Sequence, residues 1–317
     1  MNKRLARAGK RRMTLDDWQL MGLSLPTLIW YLAICYVPMF GIVIAFKNYK
    51  VAPGQGFLYS LFVNSKWVGF KNFEFLFRLP TWKNVFSNTL GYNLVFIVLG
   101  VVVPVTLALL ISQMYSKRLA KICQTAMFFP HFISWVVVSY FVYAFLATDR
   151  GLFNNLLMGM GESKVLFYQE PAYWPFILVF MNLWKGTGYS MVVYLAAISG
   201  LDQEMYEAAL IDGASKYQQA RYITLPLLRP IISIMFILAM GKIFNSDFGL
   251  FYRIPRDSSS LVSVTQTIDV YIYKALMNDS NVNYSSAAAL FQSVLGCITI
   301  VLSNLVVKKI DPESGLF

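Results

Sequence analysis

Long apolar runs separated by polar segments dominate the chain and predict membrane-spanning helices. Within runs such as 95–111 the residues are apolar on all sides, and the alternating pattern of an outer-membrane barrel is missing. Each run has room for the roughly 20 residues that a bilayer span requires. Six runs can be placed, at 22–46, 89–112, 122–147, 174–199, 231–252 and 286–307. The pattern therefore predicts an all-α polytopic membrane protein with six transmembrane helices.

The polar loop between the fourth and fifth runs carries helix start and stop signals. Ser199, with Asp202 three residues later, predicts the cap of a short helix, and Gly213 predicts its end. Ser215 and Gln218 form a second capping pair, from which the chain restarts as helix. The loop is therefore expected to be two short helices that meet at one fixed break and form a stiff knob.

Within this loop, residues 200–230, several residue types recur at fixed spacing: E-A-A, three residues, G, nine residues, then I-x-L-P. This pattern resembles the signature loop of the membrane subunits of binding-protein-dependent ATP-binding-cassette (ABC) importers. The alternative interpretation is a capped surface loop without a partner. The resemblance implies that the loop is cytosolic and docks into a cleft on an ATPase. The coupling residues would then be Glu207, Ala208, Ala209, Asp212, Gly213, Leu225 and Pro226.

Composition agrees with a membrane protein and excludes several classes of chemistry. The 317 residues are 57% hydrophobic and only 14% charged, which is outside the range of soluble globular proteins. The three cysteines all lie in predicted spans, where they behave as small apolar residues. With one histidine, no H-E-x-x-H and no G-x-S-x-G, the sequence predicts no catalytic residue, no metal site and no enzyme activity.

The energy source must lie elsewhere, because the chain has no G-x-x-x-x-G-K-[ST] loop to hold a nucleotide phosphate. We therefore expect no cofactor in this chain, with ATP and Mg on partner ATPase subunits. The net charge of +11 is spread along the ends of the predicted spans, which favours membrane lipid as a partner and excludes nucleic acid.

Lysines and arginines indicate how the chain is oriented in the membrane, because the loops on the cytoplasmic side of membrane spans carry an excess of these residues. Both termini are predicted to be cytosolic, although the long first outer loop also contains lysines. An acidic, capped segment at 14–18 argues against a cleaved signal peptide. The basic residues that support the orientation are Lys3, Arg4, Arg7, Lys10, Arg11, Arg12, Lys117, Arg118, Lys121, Lys308 and Lys309. The predicted parts are a cytosolic and interfacial segment 1–21, a transmembrane domain 22–310 and a cytosolic tail 311–317.

Polar residues inside the apolar runs mark the candidate pathway, because ionisable groups at bilayer depth are expensive and usually face a cavity or a partner. The motif Lys185 to Gly188 is expected to break the fourth span. Two polar helix faces are predicted by the i, i+3, i+7 rule, one with Asn182, Lys185 and Tyr189 and one with Lys242 and Asn245. The full set is His131, Asn182, Trp184, Lys185, Gly186, Tyr189, Lys242, Asn245 and Asp247. Simple pairing with neighbours is the alternative role for Lys242 and Asp247.

Residues 60–317 resemble the six-span core of maltose-type oligosaccharide permeases, and Asn182 to Gly186 match a sugar-contacting segment there. The resemblance implies a bacterial cytoplasmic (inner) membrane protein that forms half of a pathway. Its partners would be a second homologous permease in a heterodimer, two copies of an ABC ATPase and an extracytoplasmic solute-binding protein. Lys185 and His131 depart from the residues usual there, which favours an acidic sugar such as an alginate or other uronate oligosaccharide. An ion-gradient-driven secondary transporter is the alternative function.

Overall fold

The computed structural model describes residues 14–74, 76, 80–277 and 280–310. The basic residues 3–12 and the predicted tail 311–317 lie outside these ranges. The described chain is mostly helical, which confirms the predicted all-α class at this level. It divides into two compact units after Lys71.

The first unit begins with a capped helix. The Thr14 backbone N–H donates to the Asp17 carboxylate at 2.8 Å, and the Asp17 N–H donates back to the Thr14 hydroxyl at 3.3 Å, which confirms the predicted cap. Helix α1, Leu15–Tyr31, then continues through a π turn, Leu32–Tyr36, and a 3-10 segment, Val37–Phe46.

The first loop after this helix is folded. Strand β1, Lys47–Asn48, pairs antiparallel with β2, Lys66–Trp67, around a short helix α2, Phe57–Tyr59, and a π turn, Ser60–Asn64. The Lys47 ammonium is buried beneath this hairpin and donates to the Leu61 carbonyl at 2.8 Å. This hydrogen bond helps to fix the shape of the loop, because a buried charge requires a hydrogen-bonding partner.

The second unit contains the remaining helices. They are α3 Pro80–Ser112, α4 Lys117–Phe128, α5 Trp135–Leu146, α6 Leu152–Gly159, α7 Trp174–Ser199, α8 Gln203–Ile211, α9 Lys216–Gln219, α10 Leu225–Leu227, α11 Arg229–Gly241, α12 Val262–Thr265, α13 Ile268–Met277 and α14 Val282–Ile310. Short 3-10 and π turns join several of them, the most important here being Phe129–Phe132, Ala220–Thr224 and Gly249–Arg253.

Four helical stretches of the described chain are long and apolar enough to cross a membrane. Two further bent pairs would qualify if each pair were one span, which gives four to six candidates. The continuous stretches are Leu15–Phe46, Thr81–Ser112, Pro171–Ser199 and Val282–Lys309. The bent pairs are Lys117–Phe132 with Trp135–Leu146, at 101°, and Lys216–Leu227 with Arg229–Gly241, at 59°.

Helix α7 runs through the middle of the second unit without interruption. The predicted break at Lys185 to Gly188 is therefore wrong. Gly188 instead permits close packing, since a Cβ atom there would lie 1.9 Å from the Met127 carbonyl oxygen. Toward the two ends of α7, side chains such as Leu178 and Met191 lie in separate buried apolar clusters. The break occurs in the third predicted span, where Pro130 precedes the 101° bend.

The fifth predicted span is also interrupted. Helix α11 ends at Gly241, and the next helical turn begins only near Phe248. Lys242 and Asn245 consequently do not share a helix face, and that prediction is wrong. Amide side chains from α3 and α14 donate hydrogen bonds to the backbone carbonyls of Ile243 and Phe244. Because these carbonyls have partners, the chain can leave the helical conformation here.

Candidate functional site

The break in the third predicted span creates a polar site inside the second unit. A helix end leaves carbonyl groups without partners, and a cation placed there is favourable. Lys185 of α7 supplies this cation, because its Nζ donates to the carbonyls of His131 and Ile133, both at 2.8 Å. Lys185 thus joins α7 to the bend between α4 and α5.

Trp135 lies beside this lysine at the start of α5. Its indole Nε1 donates to Asp247 Oδ2 at 2.7 Å, and the Lys185 Nζ lies 5.3 Å from its ring centroid. The other Asp247 oxygen, Oδ1, accepts from the backbone N–H groups of Gly249 at 2.9 Å and Leu250 at 3.3 Å. Asp247 therefore starts the helical turn that follows it and also holds the indole in place.

A cavity of about 400 Å³ opens onto these groups. Five of the sequence-predicted pathway residues line it, together with two that sequence reasoning missed. The predicted ones are His131, Asn182, Lys185, Gly186 and Asp247, and the missed ones are Ser134 and Trp135. An ammonium, a carboxylate, an amide and aromatic rings thus meet around one space, which suits a polar ligand with flat apolar faces.

The other predicted pathway residues have different surroundings. Tyr189 stacks on the His131 ring, with centroids 4.8 Å apart and planes at 17°. Trp184 lines a separate apolar cavity of about 750 Å³ between α5 and α7. Lys242 and Asn245 are exposed in the irregular segment after α11 and do not line either cavity.

The predicted knob has the two short helices and the fixed break expected of it. Gly213 adopts a φ of +79°, a left-handed conformation that glycine takes without steric cost. Its N–H donates to the Leu210 carbonyl, and the Ala214 N–H donates to the Ala209 carbonyl at 2.9 Å, which ends α8. The Ser215–Gln218 capping box then begins α9, as predicted.

The cap of α8 differs from the expectation. Asp202 is its N-cap and accepts from the Glu204 N–H at 3.0 Å. Ser199 is the last residue of α7, and its hydroxyl donates back to the Leu195 carbonyl. The predicted cap at Ser199 is therefore wrong, because Asp202 stands directly before the new helix, where its carboxylate reaches a free N–H group, whereas Ser199 still belongs to α7.

The knob is tied to the body of the second unit on one side and exposed on the other. Lys216 Nζ donates to the Gln113 carbonyl at 2.7 Å, and the Gln113 amide donates back to the Lys216 carbonyl at 2.9 Å. The Tyr206 and Thr224 hydroxyls lie 2.9 Å apart and join α8 to the following π turn. The Gln113–Lys216 pair ties the knob to the chain after α3, and the Tyr206–Thr224 contact braces the knob internally.

The outer surface of the knob carries the predicted coupling residues. Glu207, Ala208, Asp212 and Gly213 are exposed, and Ala209 is partly buried. Ile211 beside them is 88% exposed and adds an apolar side chain to this surface. Further along, Leu225 is exposed and Pro226 partly buried.

An exposed knob and an internal polar cavity fit a component of a membrane transporter, and sequence comparison supports that class. Residues 100–312 match the family described as "Binding-protein-dependent transport system inner membrane component". The chain belongs to this family.

Individual relatives cover nearly the whole chain. It is 34% identical over 302 residues to Protein LplB of Bacillus subtilis (strain 168), covering 95% of this chain and 92% of that protein. It is also 34% identical over 293 residues to the "Polygalacturonan/rhamnogalacturonan transport system permease protein YteP" of the same strain, covering 92% and 88%.

Solved structures show the same similarity. The chain resembles a chain of a bacterial ABC transporter involved in the import of the acidic polysaccharide alginate, with a TM-score of 0.83, 31% identity and coverage of 93% and 97%. A second structure holds a bacterial alginate ABC transporter in complex with an alginate pentasaccharide-bound periplasmic protein, with a TM-score of 0.82, 31% identity and coverage of 93% and 96%. These similarities support sugar import by an ABC permease and give no support to the ion-gradient alternative.

Proposed function

We propose that this permease forms half of the translocation pathway for a carboxylated oligosaccharide that an extracytoplasmic binding protein delivers. The observation that carries this proposal is the similarity, across more than nine-tenths of the chain, to a permease for polygalacturonan or rhamnogalacturonan and to an importer of the acidic polysaccharide alginate. Both polymers consist largely of uronic acids, so their fragments combine carboxylates with flat sugar faces.

The polar cavity suits such a ligand. A lysine ammonium has three N–H donors, and Lys185 uses two of them on backbone carbonyls. The third can bind a carboxylate while the lysine keeps its position. The rings of Trp135 and Tyr189 and the Asn182 amide supply stacking surfaces and a hydrogen-bonding group nearby, as saccharide recognition requires.

In the proposed topology each bent helix pair forms one membrane span, so the chain has six spans. In this proposal both termini, residues 1–21 and 311–317, lie in the cytosol of a bacterium and the transmembrane domain 22–310 lies in its inner membrane, and the basic flanks support that orientation. The knob at 200–230 lies on the cytosolic side of this arrangement. The broken helices lie where backbone can face a cavity instead of lipid.

The proposed assembly contains this chain, a second homologous permease and two copies of an ABC ATPase. ATP and Mg bind to the ATPase, and this subunit performs no bond chemistry. The exposed coupling residues and Ile211 form the docking surface for the ATPase. Nucleotide binding biases two arrangements of the complex, and the rigid knob passes that bias to the spans.

Reconstitution of the complex purified through this chain would test the proposal. Proteoliposomes that contain ATP and receive the binding protein should take up oligogalacturonate or alginate oligosaccharides more than maltooligosaccharides of equal length. An inactive ATPase partner should abolish this uptake. Preference for the neutral sugars would overturn the acidic assignment, and uptake that persists with the inactive ATPase would overturn the ABC mechanism.

A further inference from the structure

We propose that Asn93, Asp269 and Gln292 form a clamp on residues 242–247 and thereby position Asp247, so that motion of the knob reaches the polar cavity. We call residues 242–247 the clamped segment. The inference rests on the proposed function and adds positioning residues that neither the motif nor the cavity contains.

Two stretches of chain connect the knob to the cavity: α7, which carries Lys185 and ends at Ser199, and α11 with the clamped segment. Helix α11 starts at Arg229, at the end of the knob, and ends at Gly241. The segment follows, and its last residue, Asp247, lines the cavity. An irregular stretch at this place could absorb any displacement of α11 before it reached Asp247, unless other elements held it.

Two buried amide side chains hold its carbonyl groups. The Asn93 amide, from α3, donates to the carbonyls of Ile243 at 2.7 Å and Asn245 at 3.0 Å. The Gln292 amide, from α14, donates to the Phe244 carbonyl between them at 2.7 Å. Three consecutive carbonyls outside a helix are thus satisfied by side chains from two different helices, as an apolar environment demands.

Asp269 holds the N–H side of the segment. Its Oδ2 accepts from the Ser246 N–H at 2.6 Å and from the Gln292 amide at 3.1 Å, and the Ser246 hydroxyl lies 2.9 Å from the same oxygen. Asp269 lies in the first turn of α13, where a carboxylate is favourable. The preceding Ile268 N–H donates to the Thr89 hydroxyl of α3 at 2.9 Å.

These bonds form one connected network, because Gln292 contacts both the segment and Asp269. The segment therefore moves with α3, α13 and α14 and does not flex between α11 and Asp247. Asp247 in turn holds Trp135 and the turn at Gly249. A displacement that begins at the knob is consequently delivered to the aromatic and charged groups of the cavity.

Thiol labelling of the assembled complex can test the clamp without knowledge of the transported sugar. Cys35, Cys123 and Cys297 are replaced by serine, and single reporter cysteines are placed at exposed Tyr217 in the knob or at exposed Asn245 in the segment. Labelling rates with a maleimide are compared without nucleotide and after trapping with ATP and vanadate. With the clamp intact, we expect nucleotide to change the rate at both reporters.

The clamp variants are Asn93→Leu and Gln292→Leu, which remove the amide donors and leave apolar side chains of similar size. Ser293→Ala is the matched control, because the Ser293 hydroxyl bonds only to the Ala289 carbonyl of its own helix among the contacts described. In the clamp variants the response at Tyr217→Cys should persist, whereas the response at Asn245→Cys should fall on the order of tenfold, the usual scale of coupling between sites. Ser293→Ala should preserve both responses.

The outcomes separate the inference from the proposed function. An unchanged Asn245→Cys response in properly assembled clamp variants would overturn the clamp. A Tyr217→Cys reporter that never responds to nucleotide, even with the clamp intact, would instead overturn the coupling role of the knob. Loss of both responses only in the clamp variants would also contradict the inference, because the clamp lies beyond the knob on the proposed route.

Discussion

The indole of Trp135 donates a 2.7 Å hydrogen bond to the carboxylate of Asp247, a residue 112 positions away in the sequence. The bond joins the start of α5 to the end of the clamped segment. Gly249 makes this approach possible, since a Cβ atom there would lie 2.1 Å from the Trp135 ring. Two interrupted spans thus meet at one hydrogen bond beside the polar cavity.

Trp135→Phe should weaken transport without preventing assembly. Phenylalanine keeps an aromatic ring over Gly249 but removes the donor to Asp247, and a hydrogen bond to a charged group contributes about 1.5–3 kcal/mol. Uptake by reconstituted complex should therefore fall roughly tenfold or more. Trp30→Phe, at an exposed position of the first unit, is the control and should have no such effect. Unimpaired uptake by Trp135→Phe would show that the indole N–H does not contribute to transport.

Lys185 has two roles in our interpretation, and two substitutions separate them. Lys185→Leu removes all donors to the His131 and Ile133 carbonyls, so it should lower both assembly and uptake. Lys185→Gln retains an amide donor but loses the charge. It should assemble normally, take up neutral maltooligosaccharides unchanged and lose most uptake of oligogalacturonate, as measured with competing labelled sugars. Equal uptake of oligogalacturonate by Lys185→Gln and the parent would exclude pairing of this ammonium with the sugar carboxylate.

Several residues of this cavity were recognisable from the sequence, because polar and charged residues are conspicuous inside apolar runs. His131, Asn182, Lys185 and Asp247 were recognisable for that reason, and the structure brings them together. Trp135 was not recognisable from the sequence, since an aromatic residue in an apolar run usually packs against other apolar side chains. Its position shortly after the proline-containing turn was the available signal, because a helix break exposes the residues that follow it.

The errors concern where the apolar runs break, because that depends on residues that are distant in the sequence. Lys242 and Asn245 share a face only if α11 continues past Gly241, and whether it does depends on Asn93 and Gln292 from distant parts of the chain. Gly188 looked like a helix breaker but serves close packing against α4. The knob was easier to predict, because its stop at Gly213 and its second cap at Ser215 depend on residues within a few positions of one another.

Gly213→Trp should uncouple ATP hydrolysis from uptake. The residue is exposed with a φ of +79°, so tryptophan would both strain the turn and obstruct the proposed docking surface. Gly161→Trp is the matched control, because Gly161 is also exposed, has a φ of +84° and has no atom near its Cβ position. The ratio of sugar imported to ATP hydrolysed should fall for Gly213→Trp alone. Normal coupling in a fully assembled Gly213→Trp complex would refute the docking role.

Gly188→Ala should destabilise the second unit, although alanine is the better helix former. A Cβ atom at 1.9 Å from the Met127 carbonyl oxygen forces α4 and α7 apart, and overpacking of this kind costs about 1–3 kcal/mol. Gly100→Ala in α3 is the control, because open space surrounds its Cβ position and the change favours the helix by about 0.5–1 kcal/mol. Thermal unfolding of the purified subunit in detergent should show a lower midpoint for Gly188→Ala and an equal or higher one for Gly100→Ala. If both variants unfolded at the parent temperature, the close approach of α7 to the backbone at Met127 would not exist in the folded protein.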